Sequence, residues 1–328
     1  MSDLVADLAR APSVDELSRQ AVLQRANRVL RPPGALAKLD RVAGWLAGWQ
    51  RTDVPAVSRP ALVLAAGDHG VVARGVSAYP PEVTAAIVDA IRAGAATSAV
   101  LARELDVALR LVDGGVGHPT GDIVTDDALG LERFEHLIAL GRQTVADLDA
   151  DLLLLGEMGI GNTTATAAVV AALLGAEVEA CVGRGAGIDD EALAEKQRVV
   201  RMAVERVQSA DPLQTLRRLG GAEHAVLVGV IAEARLRSLP LMLDGYVTSA
   251  AALALELAAP GSIDHCLASH LSPEPGHRLV LERLGLEPLL DLEMRLGEGS
   301  GALVALPVVR LAAAAVVDVV TFEEWGLA

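Results

Sequence analysis

Apolar residues fall into two kinds of run along this chain. Some are short and unbroken and end in glycine; others place apolar positions three and four residues apart. Residues 61–66 read A-L-V-L-A-A and lead into Gly-Asp-His-Gly. Residues 107–112 lead into Asp113-Gly114-Gly115, and the run at 151–155, D-L-L-L-L, leads into Gly-Glu-Met-Gly. A short apolar run closed by turn residues predicts a strand buried on both faces. Two more such strands are expected at 239–243 and 263–268. Helix-compatible segments lie at 14–29, 36–50, 82–104, 135–148, 163–174, 189–207, 222–236 and 246–258. In 36–50, Leu36, Leu39, Val42, Ala43 and Leu46 share one helical face. Ser13 is placed to cap the helix before it, and Arg31-Pro32-Pro33-Gly34 to stop that helix.

Strand, glycine loop and helix thus repeat. This order predicts an α/β fold, a Rossmann-like, mostly parallel sheet flanked by helices on both faces. Ligands of such sheets bind beyond the carboxyl ends of the strands, where the loops at 67–70, 113–117 and 156–164 fall. The chain ends lie outside the alternation. We therefore expect an α/β core domain over 55–290 and a small helical domain formed by 1–54 together with 291–328.

Composition narrows the function. The chain carries a net charge of −15 and only 2% aromatic residues, which disfavours a nucleic-acid partner or an anionic membrane surface. An anionic substrate must then be held by local donors. Two cysteines, Cys181 and Cys266, cannot build a disulfide framework and fit a reducing compartment. Asp3 and Asp7 interrupt any basic-then-apolar leader. No run reaches the ~18 uncharged apolar residues of a membrane span; the longest candidate is broken by Arg310 and Asp318. The expectation is a soluble, cytoplasmic protein without a membrane span.

Three loops carry candidate chemistry. The first, at 156–166, reads G-E-M-G-I-G-N-T-T-A-T. Gly159 and Gly161 allow a sharp turn, and Asn162, Thr163 and Thr164 can cap a helix whose free N–H groups attract an anion. A plain strand-to-helix turn would look the same. The loop lacks both the Gly-Lys-Ser/Thr of a triphosphate loop and the G-x-G-x-x-G of a dinucleotide fold, which disfavours an NAD-dependent enzyme. Glu157 is unexpected there, because phosphate repels a carboxylate. The second loop, Gly183-Arg-Gly-Ala-Gly187, precedes Asp189, Asp190 and Lys196. It can form an anion nest, while Lys196 alone reads as a surface lysine. In the third, at 291–301, Glu298 stands between two glycines before an apolar helix. Such a carboxylate is either a helix-dipole partner or a general base. His265-Cys266 with His270 does not read as a zinc site, since strand neighbours point to opposite faces. Asp68-His69 reads either as an acid–base pair or as a histidine bonded to its own turn.

These motifs occur in one order that resembles the nicotinate-nucleotide–dimethylbenzimidazole phosphoribosyltransferase family of cobalamin lower-ligand synthesis. Its carriers are G-D-H-G-V at 67–71, V-S-A-Y-P at 76–80, L-G-E-M-G-I-G-N-T-T at 155–164 and G-R-G-A-G-I-D-D at 183–190. L-D-G-Y-V-T-S-A-A-A at 243–252, A-S-H-L-S-P-E-P-G-H at 268–277 and R-L-G-E-G-S-G-A at 295–302 complete them. The resemblance implies transfer of the 5-phosphoribosyl group from nicotinate mononucleotide to 5,6-dimethylbenzimidazole or a similar base. It implies no metal, no redox cofactor and a homodimer. It makes Glu298 the general base and Glu157 a second pocket carboxylate. Gly159, Gly161, Asn162, Thr163, Gly185, Lys196 and Ser272 would hold the 5′-phosphate, and Ser77, Tyr79 and Met158 would line the base slot. The chain departs from the family pattern at Ala35 and Ala37. It has Pro81, Ala85 and Ala86 where a glutamine is common, and a shortened 118–145 segment. These changes leave open an acceptor such as adenine or a phenol, or a silent nucleotide-binding homologue.

Overall fold

A computed structural model describes residues 2–327. The chain runs α1 (Ser2–Leu8), α2 (Glu16–Ala26), α3 (Ala37–Gln50), β1 (Pro60–Ala66), a 3-10 turn (Gly70–Arg74), α4 (Glu82–Arg92), α5 (Thr97–Glu104) and β2 (Ala108–Asp113). It continues α6 (Leu131–Ala146), β3 (Leu152–Met158), α7 (Asn162–Leu174), α8 (Val178–Cys181), α9 (Asp190–Arg206), α10 (Pro212–Leu219) and α11 (Ala222–Leu236). The last elements are β4 (Leu241–Leu243), α12 (Tyr246–Ala258), β5 (Cys266–Ala268), α13 (Pro275–Leu284) and α14 (Ser300–Val317).

Among the described residues all five strands are parallel, in the order β2-β1-β3-β4-β5. The chain moves from β1 outward to β2, then returns to place β3 on the other side of β1. That reversal opens a crevice at the carboxyl ends of β1 and β3, where doubly wound sheets bind ligands. The strands alternate as the short apolar runs require. Ala61, Val63, Ala65, Leu153, Leu155, Leu241 and Leu243 join a core with α6, α7 and α9–α12. Leu62, Leu152, Leu154 and Met242 face the opposite layer, packed with residues of α3, α5 and α14. Both faces of β1, β3 and β4 are buried, and about 25 cal/mol per Å² of apolar burial holds the layers together. The edge strand β2, expected to be buried on both faces, instead exposes Ala108, Arg110 and Asp113.

α6 and α11 approach closely because each offers a glycine at the crossing. A Cβ at Gly141 would lie 2.1 Å from the Val226 carbonyl, and one at Gly229 2.0 Å from that of Ile138. α14 carries the carboxyl-terminal segment onto the sheet and packs with α2, α3, α5 and β3.

Several expected boundaries move. The helix expected over 82–104 is two helices, α4 and α5, separated at Gly94, whose φ of +73° a side chain would disfavour. Asp15, not Ser13, caps α2 and accepts from the Leu17 amide. α7 begins at Asn162, with Gly161 (φ +92°) as its cap residue, so the Asn162 side chain is free for another partner. β3 runs to Met158, which makes Glu157 a strand residue and not a loop residue. Ser300–Val317 is apolar and long enough to cross a bilayer, but more than half of it is buried within the protein. The 82–104 stretch passes the same length test only across the α4–α5 break.

Candidate active site

A cavity of ≈ 370 Å³ lies at the carboxyl ends of the strands. Every residue that the family resemblance assigns to the site lines it: Glu298, Glu157, Gly159, Gly161, Asn162, Thr163, Gly185, Lys196, Ser272, Ser77, Tyr79 and Met158. They come from chain segments more than two hundred residues apart.

One end is acidic. Glu157 sits near the end of β3 with 7% of its surface exposed, and its carboxylate accepts from the Asn162 side-chain amide. The loop before α14 crosses directly over it. The Glu298 amide donates to the Glu157 carbonyl at 3.0 Å. Gly297, Glu298 and Gly299 have φ of +81°, +59° and +75°, three successive left-handed residues. Glycine adopts that region freely, but glutamate does so at a cost of order 1 kcal/mol. A Cβ at Gly297 would meet Glu157 Oε1 at 2.7 Å, and one on Gly156 would meet the Gly299 nitrogen at 2.6 Å. The flanking glycines therefore press the two glutamate-bearing segments together.

Glu298 is held from the other side as well. Its Oε2 accepts the Ser98 hydroxyl at 2.8 Å, with the Ser98 amide at 3.4 Å, at the amino-terminal end of α5. A carboxylate bonded through one oxygen in this way keeps the other for chemistry. Asp244, at the end of β4, completes the end of the cavity. It accepts the Gly299 amide at 3.1 Å and the Ala302 amide at 3.0 Å, capping α14 just beyond Glu298. Burial raises the Asp244 carboxyl to about 7 against the pull of those backbone donors, and the nearby Glu298 carboxylate adds to the rise. Burial also pushes Glu157 well above the usual carboxylate range, and the carboxylates of Asp244, Glu223 and Glu298 push it further. Asn162 opposes that shift.

The other end supplies donors. Lys196 is 1% exposed; it donates to Thr163 Oγ1 at 2.8 Å and to the Gly183 carbonyl at 3.0 Å. It is therefore no surface lysine. Burial lowers its pKa, while the Glu274 carboxylate works the other way. Gly185 (φ +52°) comes so close that a Cβ would lie 3.0 Å from Thr163 Oγ1 and 3.5 Å from Lys196 Nζ. The α7 amino terminus, with the glycine turn before it, faces the same end. Ser272 is oriented by His277, whose Nδ1 accepts the Ser272 amide at 3.0 Å and lies 2.9 Å from its hydroxyl. Nδ1 thus acts as an acceptor, and Nε2 is left to donate to Ser249 Oγ at 3.1 Å. Burial lowers the His277 pKa to about 3, consistent with a neutral ring.

An apolar wall joins the two ends. Val76, Val83, Ile87, Met158, Ile160 and Leu296 line it, with Ser77 and the half-exposed Tyr79 at its side. Pro81, Ala85 and Ala86 do not border the cavity, so this wall offers no glutamine-like group.

Other expectations land elsewhere. Asp68 and His69 do not pair: Asp68 Oδ2 accepts the Gly117 amide at 2.7 Å, and His69 Nε2 lies 2.9 Å from Glu223 Oε1. They belong to a buried network behind the glycine turn that continues through His224 to Thr166. Burial pushes Glu223 up, yet the two histidines outweigh it and hold the carboxyl below its usual range. The loops at 67–70 and 113–117 support this network and do not line the cavity. His265 packs edge-on against Trp49 at 5.9 Å, whereas His270 borders the cavity with its Nε2 3.9 Å from Asp244. The 118–145 segment also stays outside the cavity. Asp127 pins it through Arg206, Arg217 and Arg218 at 2.9–3.1 Å, and Asp122 anchors it to Arg74.

Ser98, Asp244, His270 and Glu274 take part without having been assigned to the site from the sequence. Asp244 carried a signal, an acid followed by glycine at a strand end. Ser98 carried none, because only the tertiary fold brings it to Glu298.

A family model described as phosphoribosyltransferase, DBI_PRT, matches residues 11–327. A protein of Methylorubrum extorquens named nicotinate-nucleotide–dimethylbenzimidazole phosphoribosyltransferase is 45% identical over 320 residues, covering 97% of this chain and 93% of its own length. One of the same name from Cereibacter sphaeroides is 44% identical over 319 residues, covering 97% and 94%. The crystal structure of CobT from Thermus thermophilus matches with a TM-score of 0.91 at 41% identity, over 95% of this chain and 99% of that one.

Proposed function

This chain belongs to the phosphoribosyltransferase family just described, and we propose that it transfers the 5-phosphoribosyl group of nicotinate mononucleotide to 5,6-dimethylbenzimidazole. The products are nicotinate and an α-ribazole 5′-phosphate. The observation that carries this reading is the polarity of the cavity, with buried donors at one end and buried carboxylates at the other. A small nucleotide has the same polarity: a phosphate at one end, and at the other a pyridinium whose departure leaves positive charge on the ribose carbon.

Gly159, Gly161, Asn162, Thr163, Lys196 and Ser272 hold the phosphate through backbone amides, hydroxyls and the ammonium group, and Gly185, whose own amide is bonded to Glu274, lets the backbone approach it closely. Asn162 is shared, because its side chain also bonds Glu157. The incoming base loses its N–H proton to Glu298 as its other nitrogen bonds the ribose carbon and nicotinate leaves. Ser98 keeps one Glu298 oxygen occupied and so directs the other toward the base. Glu157 lies beside the reacting carbon, where the bound pyridinium favours its ionised form, which then stabilises the charge that develops on the ribose. Ser77, Tyr79 and Met158 border the slot for the flat ring, whose apolar wall suits a methyl-bearing bicycle better than an amine-bearing purine.

The core over 55–290 and a small helical domain of 1–54 with 291–328 meet at the site, to which that domain contributes Met294–Glu298 and none of the described residues of 1–54. A homodimer is part of the same reading. β2 is an edge strand whose Ala108, Arg110 and Asp113 are exposed, and light scattering tests whether a second copy covers it. Two free, buried cysteines suit a reducing, cytoplasmic setting.

Incubation with nicotinate mononucleotide and a panel of bases tests the function. Nicotinate release is expected with 5,6-dimethylbenzimidazole and much less with adenine or a phenol. Preference for adenine or a phenol would reassign the acceptor. Release with no base of the panel would sink the transferase reading.

A further inference from the structure

The donor end of the cavity contains one residue of the wrong charge. Glu274 precedes α13, yet its side chain makes no cap there. It turns into the cavity instead and is 8% exposed. Its Oε1 accepts the Gly185 amide at 2.8 Å, a donor that a phosphate would otherwise take. Its Oε2 is buried and has no hydrogen-bond donor. Gly183 closes over it, since a Cβ there would lie 2.5 Å from Oε2.

The groups around Glu274 are committed elsewhere. Lys196 of α9 donates to Thr163 and to the Gly183 carbonyl. The Tyr246 hydroxyl of α12 donates to the carbonyl of Cys181 in α8 at 3.0 Å. Arg184 is bonded to the Ile188 carbonyl and to Asp190, and Arg295 to the Gly185 carbonyl. His277 of α13 is bonded to Ser272 and Ser249. A buried carboxylate oxygen without a donor is costly, and a phosphate dianion beside it is repelled. One proton taken up by the carboxyl removes its charge, and with it both the buried unpaired anion and the repulsion.

We propose that Glu274 couples binding of the substrate's 5′-phosphate to the uptake of one proton by its carboxyl, whose Oε2 lies beneath Gly183 and whose Oε1 holds the Gly185 amide. The inference rests on the phosphate being bound where the proposed function puts it. Glu274 is then a specificity residue: it admits the phosphate in company with a proton and discriminates against the bare dianion. Above the second ionisation of a phosphate monoester, near pH ~6, each pH unit lowers the population carrying that proton about tenfold.

Calorimetric titration of the full-length protein with nicotinate mononucleotide between pH 6.5 and 8.5, in buffers of different ionisation enthalpy, tests this. The wild-type Kd is expected to rise about tenfold per pH unit, with close to one proton taken up per nucleotide bound. Glu274→Gln keeps an oxygen for the Gly185 amide and presents an N–H in place of Oε2. Its Kd is expected to be flat over the same range and tighter than wild type at pH 8.5. Glu274→Ala should also be flat, which separates loss of the carboxylate from gain of a donor. A flat wild-type profile overturns the inference. So does a slope that persists in Glu274→Gln, which would assign the proton to Lys196 or another group. No binding to the wild type at any pH would overturn the phosphate site and this inference with it.

Discussion

The two ends of the cavity fix their charged groups by opposite means. At the donor end, Lys196 is bonded to the Thr163 hydroxyl and the Gly183 carbonyl, partners that a ligand can replace. At the acidic end, Glu298 and Asp244 are held by Ser98 and by backbone amides of the very loop that presents Glu298. The donor end is arranged to exchange partners on binding. The acidic end is arranged to stay in place, as a proton acceptor must if its geometry is to be ready before substrate arrives. Chemistry and binding are thus separable, and each prediction below tests that division.

The largest effect is expected from Glu298→Gln. The amide can still occupy the left-handed turn and bond Ser98 but cannot take a proton, so kcat should fall by roughly 10² to 10⁴. The Kd for nicotinate mononucleotide should stay within about threefold of wild type. A comparable loss of both would make Glu298 a structural residue and erase the distinction between the ends. Lys196→Met sharpens the contrast from the other side. Removing a buried ammonium that reaches the phosphate should raise KM for the nucleotide by about 10- to 100-fold. The kcat at saturation should change far less, as steady-state kinetics at several nucleotide concentrations would show.

Ser98→Ala is expected to act more mildly, lowering kcat about tenfold, the worth of one hydrogen bond to a charged group. Nucleotide affinity should be unchanged, because Ser98 does not border the cavity. A loss of affinity instead of turnover would place the serine's influence at the wrong end.

The smallest effect concerns stability. Asp244 and Glu157 have raised pKa values in the fold. Their contribution is full below the unfolded value near ~3.9–4.3 and is lost as pH rises through the folded value, about 7 for Asp244. His265 and His277, lowered to about 3 by burial, act in the opposite direction up to their unfolded value near ~6.5. The two trends oppose each other in mild acid, and above pH ~6.5 only the carboxyl trend remains. The melting temperature of the ligand-free protein should therefore fall between pH 6.5 and 8. Asp244→Asn should flatten that fall, by up to about 1 kcal/mol per pH unit, and an unchanged slope would assign the fall to other groups.

Much of this arrangement is legible in the sequence. Buried parallel strands and glycine-bearing loops announce themselves through unbroken apolar runs, and the acids and lysine stand beside those loops. What sequence could not supply is contact across the sheet. Lys196 looks like a surface residue until the Gly183–Gly187 loop folds over it. Ser98 lies two hundred residues from Glu298, within a span whose helical pattern hides the break at Gly94. Asp68 and His69 suggest an acid–base pair because they are neighbours in sequence. Their true partners, Gly117 and Glu223, come from other loops and helices. Local pattern reveals which loops are special, and packing decides which of them reach the cavity.

The central claim is that one cavity moves a phosphoribosyl group from one ring nitrogen to another. A time course with nicotinate mononucleotide and 5,6-dimethylbenzimidazole, following both products by chromatography and mass, tests it most directly. Nicotinate and an α-ribazole 5′-phosphate should appear in equal amounts, and neither without the base. Nicotinate formed at the same rate without the base would mean hydrolysis, and would contradict the account.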